Sequence, residues 1–212
     1  MFITFEGLDG SGKSTHLRRA AGWLRARGQT IETTHEPGGT PLGDALRAAF
    51  LAGDPDAVDG TVEALIVFAS RRQHLREVID PALSAGRHVL CDRFTDSTRA
   101  YQGFGRGLGS EQIDRLDEIA TGNRSPDLTL LFDLEPEMAR SRSQAGDGDR
   151  RPDGGNRLDT ESLAFYRRVR EGYLELARSA PERFRVIDSS GSPDETFAQV
   201  ERVLAECFED PS

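Results

Sequence analysis

A chain of 212 residues, 36% hydrophobic and 30% charged, is long enough for one sizeable core and short for two independent domains. Its net charge of −9 argues against a protein that coats nucleic acid, which needs a basic face. No run approaches the roughly 18 apolar residues of a membrane span. The opening MFITFEGLDG has neither the basic stretch nor the separate apolar segment of a signal peptide, so the expected location is the cytoplasm.

Two cysteines, Cys91 and Cys207, lie far apart and form no CxxC pair, so both are expected to be buried free thiols. Of 27 basic residues only one is lysine, Lys13. Acidic excess with almost no lysine suggests a high-salt cytoplasm, and a GC-rich genome would shift usage the same way.

In chain order, short β-rich runs alternate with longer helical patterns, which predicts an α/β fold, a parallel sheet covered on both faces. The first strand, Phe2–Glu6, runs into Gly7-Leu8-Asp9-Gly10-Ser11-Gly12-Lys13-Ser14, followed by Thr15. This matches G-x-x-x-x-G-K-[ST] in full, after a strand and before a helix striped by Leu17, Ala20, Ala21 and Leu24. Glycines let backbone N–H groups turn around phosphate oxygens, and the helix N-terminus adds partial positive charge. Lys13 then bridges the β- and γ-phosphates, and Ser14 offers a hydroxyl to Mg²⁺. The only lysine sits where a point-charge ammonium has a use. Asp9 is the anomaly, a carboxylate inside an anion cradle. GTPases, motor ATPases and small-molecule kinases share this loop, but the guanine-reading NKxD motif is impossible with no second lysine.

A second strand, Thr30–His35, leads into HEPGGTPLG, His35 to Gly43, at the strand end where open α/β sheets bind ligands. A plain connecting turn is the competing reading. Helices follow near 41–52 and 60–79. In the latter, Phe68 and Arg71 are three apart, placing an aromatic beside a guanidinium that could stack on and bond a base. The third strand, His88–Asp92, opens DRFTDSTRAYQGFGRG, Asp92 to Gly107. There Arg93 could clamp a phosphate while Ser97, Thr98, Tyr101 and Gln102 supply neutral donors and acceptors at helical spacing. Further helices are expected near 110–121, 135–143, 160–179 and 194–208, with strands at Leu128–Asp133 and Phe184–Asp188. Gln144 to Asn156, QAGDGDRRPDGGN, can bury almost nothing and reads as a solvated insert or as a lid over the site. The chain shows no repeat and no linker, so one domain over 1–212 is expected.

FEGLDGSGKST, HEPGGTPLG, Arg71 with Gln73 and His74, and DRF-x-x-ST-x-AYQG-x-GRG together resemble the thymidylate kinase family, as does NRLDTESLAFYRRVREGYLELA at 156–177. The blocks keep the family's order over most of the chain, and EPGGT with DR-x-x-x-ST-x-AYQG is specific. The resemblance implies a three-layer α/β/α P-loop kinase fold with five parallel strands and a lid. It also implies ATP- and Mg²⁺-dependent phosphorylation of dTMP to dTDP by a homodimer. Carried over by motif, Arg93 contacts the dTMP phosphate, while Glu36 and Pro37 line the acceptor site. Arg71, Ser97, Thr98 and Gln102 read or support thymine, Tyr101 packs on the deoxyribose, and a phenylalanine of the Phe68 helix stacks on the base. Asp9 faces the acceptor sugar and the metal's water shell.

Three departures stand out. His35 occupies a position usually held by arginine, and offers only a pH-dependent substitute. The family's stacking phenylalanine falls here on Val67, with Phe68 one residue later. The loop lacks the arginine some members carry at Asp9-Gly10-Ser11, so the transition-state cation is expected from the lid, with Arg142, Arg150 and Arg151 as candidates. Arg140 also lies in that region, and Arg157 matches the family's arginine at the lid's end. A loop near Asp188–Pro193 is a candidate for adenine contacts. Competing functions are a kinase for another nucleotide or deoxynucleoside, and a silent ATP-binding regulator, which would have no need of an acceptor stretch at 92–107.

Overall fold

The computed structural model describes residues 1–52, 58–145 and 157–208. Its centre is a five-stranded sheet of order β2-β3-β1-β4-β5, with β1 at Phe2–Gly7, β2 at Ile31–His35, β3 at His88–Asp92, β4 at Leu128–Asp133 and β5 at Phe184–Asp188. All four pairings are parallel. The helices are α1 (Lys13–Arg25), α2 (Pro41–Leu51), α3 (Gly60–His74), α4 (Asp80–Ser84), α5 (Thr95–Thr98), α6 (Ser110–Thr121), α7 (Pro136–Ala145), α8 (Leu163–Ser179) and α9 (Pro193–Phe208).

The central strand explains the two cores by parity, since successive side chains point to opposite faces. Ile3 and Phe5 of β1 join Leu17, Ala20 and Leu24 of α1 and Phe197, Val200 and Leu204 of α9 on one face. Phe2 faces the other way, against Leu75, Ile79 and Phe94, and Glu6 shares that side. There α8 packs through Phe165, Val169 and Tyr173 onto Tyr101, Leu131 and Phe184. A carboxylate at the buried end of β1 therefore faces the acceptor stretch because of the strand's period.

Element positions agree closely with the sequence reading, with differences at three places. The pattern over 60–79 is α3 followed by a wide π-type turn, Leu75–Ile79, and then α4. Residues 95–105 are helical, a short α5 running into π-type turns at Arg99–Gly105. The chain after 156 begins with a 3₁₀ turn, Arg157–Thr160, before α8. Cys91 is buried as expected, but Cys207 is exposed on the last turns of α9, whose apolar stripe is carried by Phe197, Val200 and Leu204. No helix among the described residues is long and apolar enough to cross a membrane. Of the expected lid, 144–145 are the last residues of α7; 146–156, with Arg150 and Arg151, lie outside the described residues.

Candidate active site

The phosphate loop joins β1 to α1 beside the carboxyl ends of the strands. Gly7, Gly10 and Gly12 all have positive φ, a region that L side chains rarely adopt. At Gly10 a side chain is excluded twice over, since its Cβ would lie 2.2 Å from the Ala139 carbonyl of α7. The loop thus packs directly on α7. Lys13 is buried and donates to the Leu8 carbonyl at 2.8 Å. Its Nζ also lies 3.7 Å from an Asp9 carboxylate oxygen. Ser14 is exposed and its hydroxyl donates to Asp92 at the end of β3.

A cleft of about 560 Å³, open solvent included, runs from Asp9 and Arg93 to Arg71 and Gln102. That span suits a ligand of nucleotide size. Arg93 stands at the loop end of the cleft in the left-handed backbone region, φ 72°. Its guanidinium donates to Asp9 at 2.8 Å, to Ser97 at 2.9 Å and to Tyr173 at 3.1 Å. Burial opposes its charge, but the facing Tyr101, Asp9, Tyr173 and Asp92 outweigh it and hold its pKa above the usual arginine range. Asp9 therefore sits between Lys13 and Arg93.

Behind Arg93 lies Glu6, fully buried, which accepts from the Phe94 N–H at 2.7 Å and from the hydroxyls of Ser97 and Tyr173. Burial, then the neighbouring charge of Asp96, raises its pKa to about 7, against the lowering effect of Ser97, Arg93 and the Phe94 N–H.

At the far end, Arg71 donates through Nε to Glu36 at 2.7 Å and through Nη2 to Thr98 at 3.0 Å. Its buried Nη1 has no hydrogen-bond partner among the described residues. His74 bonds the other Glu36 oxygen at 2.9 Å, so Glu36 lines the cleft chiefly by fixing Arg71. Gln102 donates through Nε2 to Glu63 at 2.7 Å. Pro37, Ser97, Thr98 and Tyr101 also line the cleft, so the HEPGGTPLG loop, α3 and the stretch after Asp92 meet there.

Several expectations need correction. Phe68 does not face the cleft; it packs with Ala64, Ile113 and Ala120 against α6, and its ring lies 4.8 Å from the Arg71 guanidinium carbon. One helical residue is a turn of about 100°, and that rotation exposes Val67 to the cleft instead. The aromatic face there comes from Phe50 on α2. Burial, then the positive charge of Arg47, lowers the His35 pKa, so the imidazole is neutral near pH 7 and replaces no arginine. Arg47 of α2 instead lines the cleft and donates to the Pro37 carbonyl at 3.1 Å.

Arg142 donates to the carbonyls of Ser189, Ser190 and Gly191, at 2.7, 3.1 and 3.3 Å, so its guanidinium is committed to the 189–191 loop. Arg140 lines a second, smaller cavity together with Asp9, Ser143 and Tyr166. Arg157 is fully buried and bonds the Phe50 carbonyl and Glu63, both at 2.6 Å. Sequence reasoning missed Phe50, Arg47, Glu63 and Asp92. Asp92 alone carried a local signal, as the last residue of the strand adjoining β1.

A family profile described as thymidylate kinase matches residues 5–200. The chain belongs to the thymidylate kinase family. It is 48% identical over 211 residues to a thymidylate kinase of Oleidesulfovibrio alaskensis, covering 98% of this chain and 99% of that one. A thymidylate kinase of Geobacter sulfurreducens is 47% identical over 203 residues, covering 96% and 95%. Among solved structures, the thymidylate kinase of Ehrlichia chaffeensis superposes with a TM-score of 0.78 at 32% identity, covering 96% of this chain and 98% of that one. The chain is thus a phosphotransferase of the thymidylate kinase family, with that family's five-stranded α/β P-loop fold.

Proposed function

We propose that this kinase moves the γ-phosphoryl group of ATP to dTMP, giving dTDP and ADP, and that the cleft between Arg93 and Gln102 is the dTMP site. The observation that carries this is the pattern at its closed end. Arg71 Nη1 is an unused donor, and Gln102 commits its amide nitrogen to Glu63, which leaves the amide oxygen as its acceptor for the cleft it lines. A donor beside an acceptor matches the O4 and N3–H of thymine, and opposes the 4-amino group and bare N3 of cytosine. Phe50, Val67 and Leu158 supply apolar walls, with Tyr101 lining the cleft on the way to Arg93.

Acceptor phosphate oxygens are nucleophilic at neutral pH, so the site needs no general base. One of them attacks the γ-phosphorus in line while the bond to the β-phosphate oxygen breaks. Arg93 holds the acceptor phosphate, and Lys13 and the loop N–H groups of Gly10 to Thr15 cradle ATP. Hard oxygen donors at Ser14 and Asp92, with Asp9 acting through water, fit Mg²⁺, which when bound would neutralise charge on the β- and γ-phosphates. Arg140, beside Asp9 in the second cavity, is positioned better than Arg142 to meet the developing charge.

The reading extends to a homodimer in the cytoplasm, supported by exposed Leu42 on α2 and Val62 and Leu65 on the adjacent α3. The test is a panel of dTMP, dUMP, CMP, AMP and thymidine with ATP and Mg²⁺ over a range of salt. Rapid dTDP formation with little turnover of CMP, AMP or thymidine is expected. Absence of dTDP at every salt concentration would refute the proposal.

A further inference from the structure

Glu63 lies outside every motif of the sequence, yet it is fully buried on the first turn of α3 and gathers three side chains from two distant segments. It accepts from Gln102 Nε2 at 2.7 Å, from Arg106 Nε at 3.1 Å and from Arg157 Nη1 at 2.6 Å. Arg157 in turn donates to the carbonyl of Phe50, which lines the cleft. We propose that Glu63 is a specificity-positioning residue: it holds the Gln102 amide with its nitrogen turned away and its oxygen toward the base, setting the site for 4-oxo pyrimidines.

Hydrogen-bond capacity decides the orientation of Gln102, and this role of Glu63 rests on the proposed thymine-reading cleft. An ion-paired carboxylate can only accept, so the amide atom facing Glu63 must be the nitrogen. The opposite rotamer would set two acceptors against each other in a buried place and offer the pocket a donor. That donor would suit the unprotonated N3 of cytosine. Arg71 cannot enforce the choice alone, since it donates in either case. Glu63 therefore removes the one orientation of Gln102 that tolerates the wrong base, and leaves cytosine facing unpaired groups.

The test uses the full chain with Glu63→Gln and Glu63→Asp. A glutamine at 63 can offer either amide atom, which frees Gln102 to turn. An aspartate keeps the charge needed by Arg106 and Arg157 but draws the carboxylate back by one methylene. The ratio of kcat/KM for dTMP to that for dCMP is expected to fall about tenfold or more in each variant. The ratio for dTMP to dUMP, which share the N3–H edge, should hold. Side-chain amide protons of Gln102, followed by ¹⁵N NMR in the unmutated chain, should exchange slowly with solvent. Equal losses for dTMP and dCMP, or amide exchange as fast as in exposed glutamines, would overturn the role of Glu63. A wild-type chain with no preference for dTMP over dCMP would instead overturn the thymine reading itself.

Discussion

Replacing Glu6 by glutamine should change how stability depends on pH, and the size follows from the site. Glu6 is walled in by the Phe94 N–H, Ser97 and Tyr173, with Asp96 and Arg93 the nearest charges. Its pKa is about 7 in the folded chain and near its ordinary 4.5 when unfolded. Because the folded value is raised, the stability it contributes is fully present below pH 4.5 and is lost as pH rises through 7. At 1.36 kcal/mol per pH unit, that interval corresponds to about 3 kcal/mol.

His16 runs the opposite way. Burial, then the charge of Arg19, depresses its pKa to about 4, so its contribution is present above 6.5 and lost as pH falls toward 4. Its ring stacks on Phe132 at 5.4 Å, in an apolar setting that disfavours the imidazolium. The two slopes therefore oppose each other where the intervals overlap, between 4.5 and 6.5, in the unmutated chain. Urea denaturation at half-unit steps from pH 5 to 8, on the unmutated chain and Glu6→Gln, isolates one of them by difference. The variant should gain stability relative to the parent as pH rises, by about 3 kcal/mol over the range. A difference that stays constant with pH would refute the assignment of a near-neutral pKa to Glu6.

Asp9→Ala removes a partner of both Lys13 and Arg93, so kcat/KM for dTMP should fall by about 10- to 100-fold while ATP affinity changes much less; equal losses would count against its place on the acceptor side. Phe50→Ala should raise KM for dTMP, whereas Phe68→Ala should leave KM nearly unchanged and cost about 3–5 kcal/mol in denaturation, since only Phe50 meets the cleft. A raised KM in the Phe68 variant alone would reverse that placement. Arg140→Ala should lower kcat by about 10²-fold. Arg142→Ala, which frees the 189–191 loop, should act on KM for ATP by about 3- to 10-fold. Exchange of those two effects in steady-state kinetics would restore Arg142 to the phosphates.

What could be read from sequence divides along a physical line. The phosphate loop and the five strands were legible because they are local: positive-φ glycines, a two-residue strand period and turn chemistry act within a few residues. The direction of Phe68 was not, because a helix with apolar residues on more than one side leaves its rotation to whatever packs against it. Here α6 takes Phe68 and the cleft takes Val67. Phe50 and Arg47 reach the cleft because α2 packs beside α3, a meeting that no spacing in the sequence announces. The same holds for Glu63, which is an unremarkable helix residue until Gln102, Arg106 and Arg157 arrive from distant segments.

Asp9 shows the two kinds of information meeting. Its charge was conspicuous in an anion-binding loop, but that alone cannot say which way the side chain turns. In the fold it lies between Lys13 at 3.7 Å and Arg93 at 2.8 Å, and it borders both cavities. It also gives Arg93 a fixed partner, so a guanidinium on a left-handed backbone residue has its direction set before an acceptor phosphate enters. If Arg93 holds the acceptor phosphate as proposed, the negative charge in the loop serves to orient that arginine, and its loss should be felt first by the acceptor.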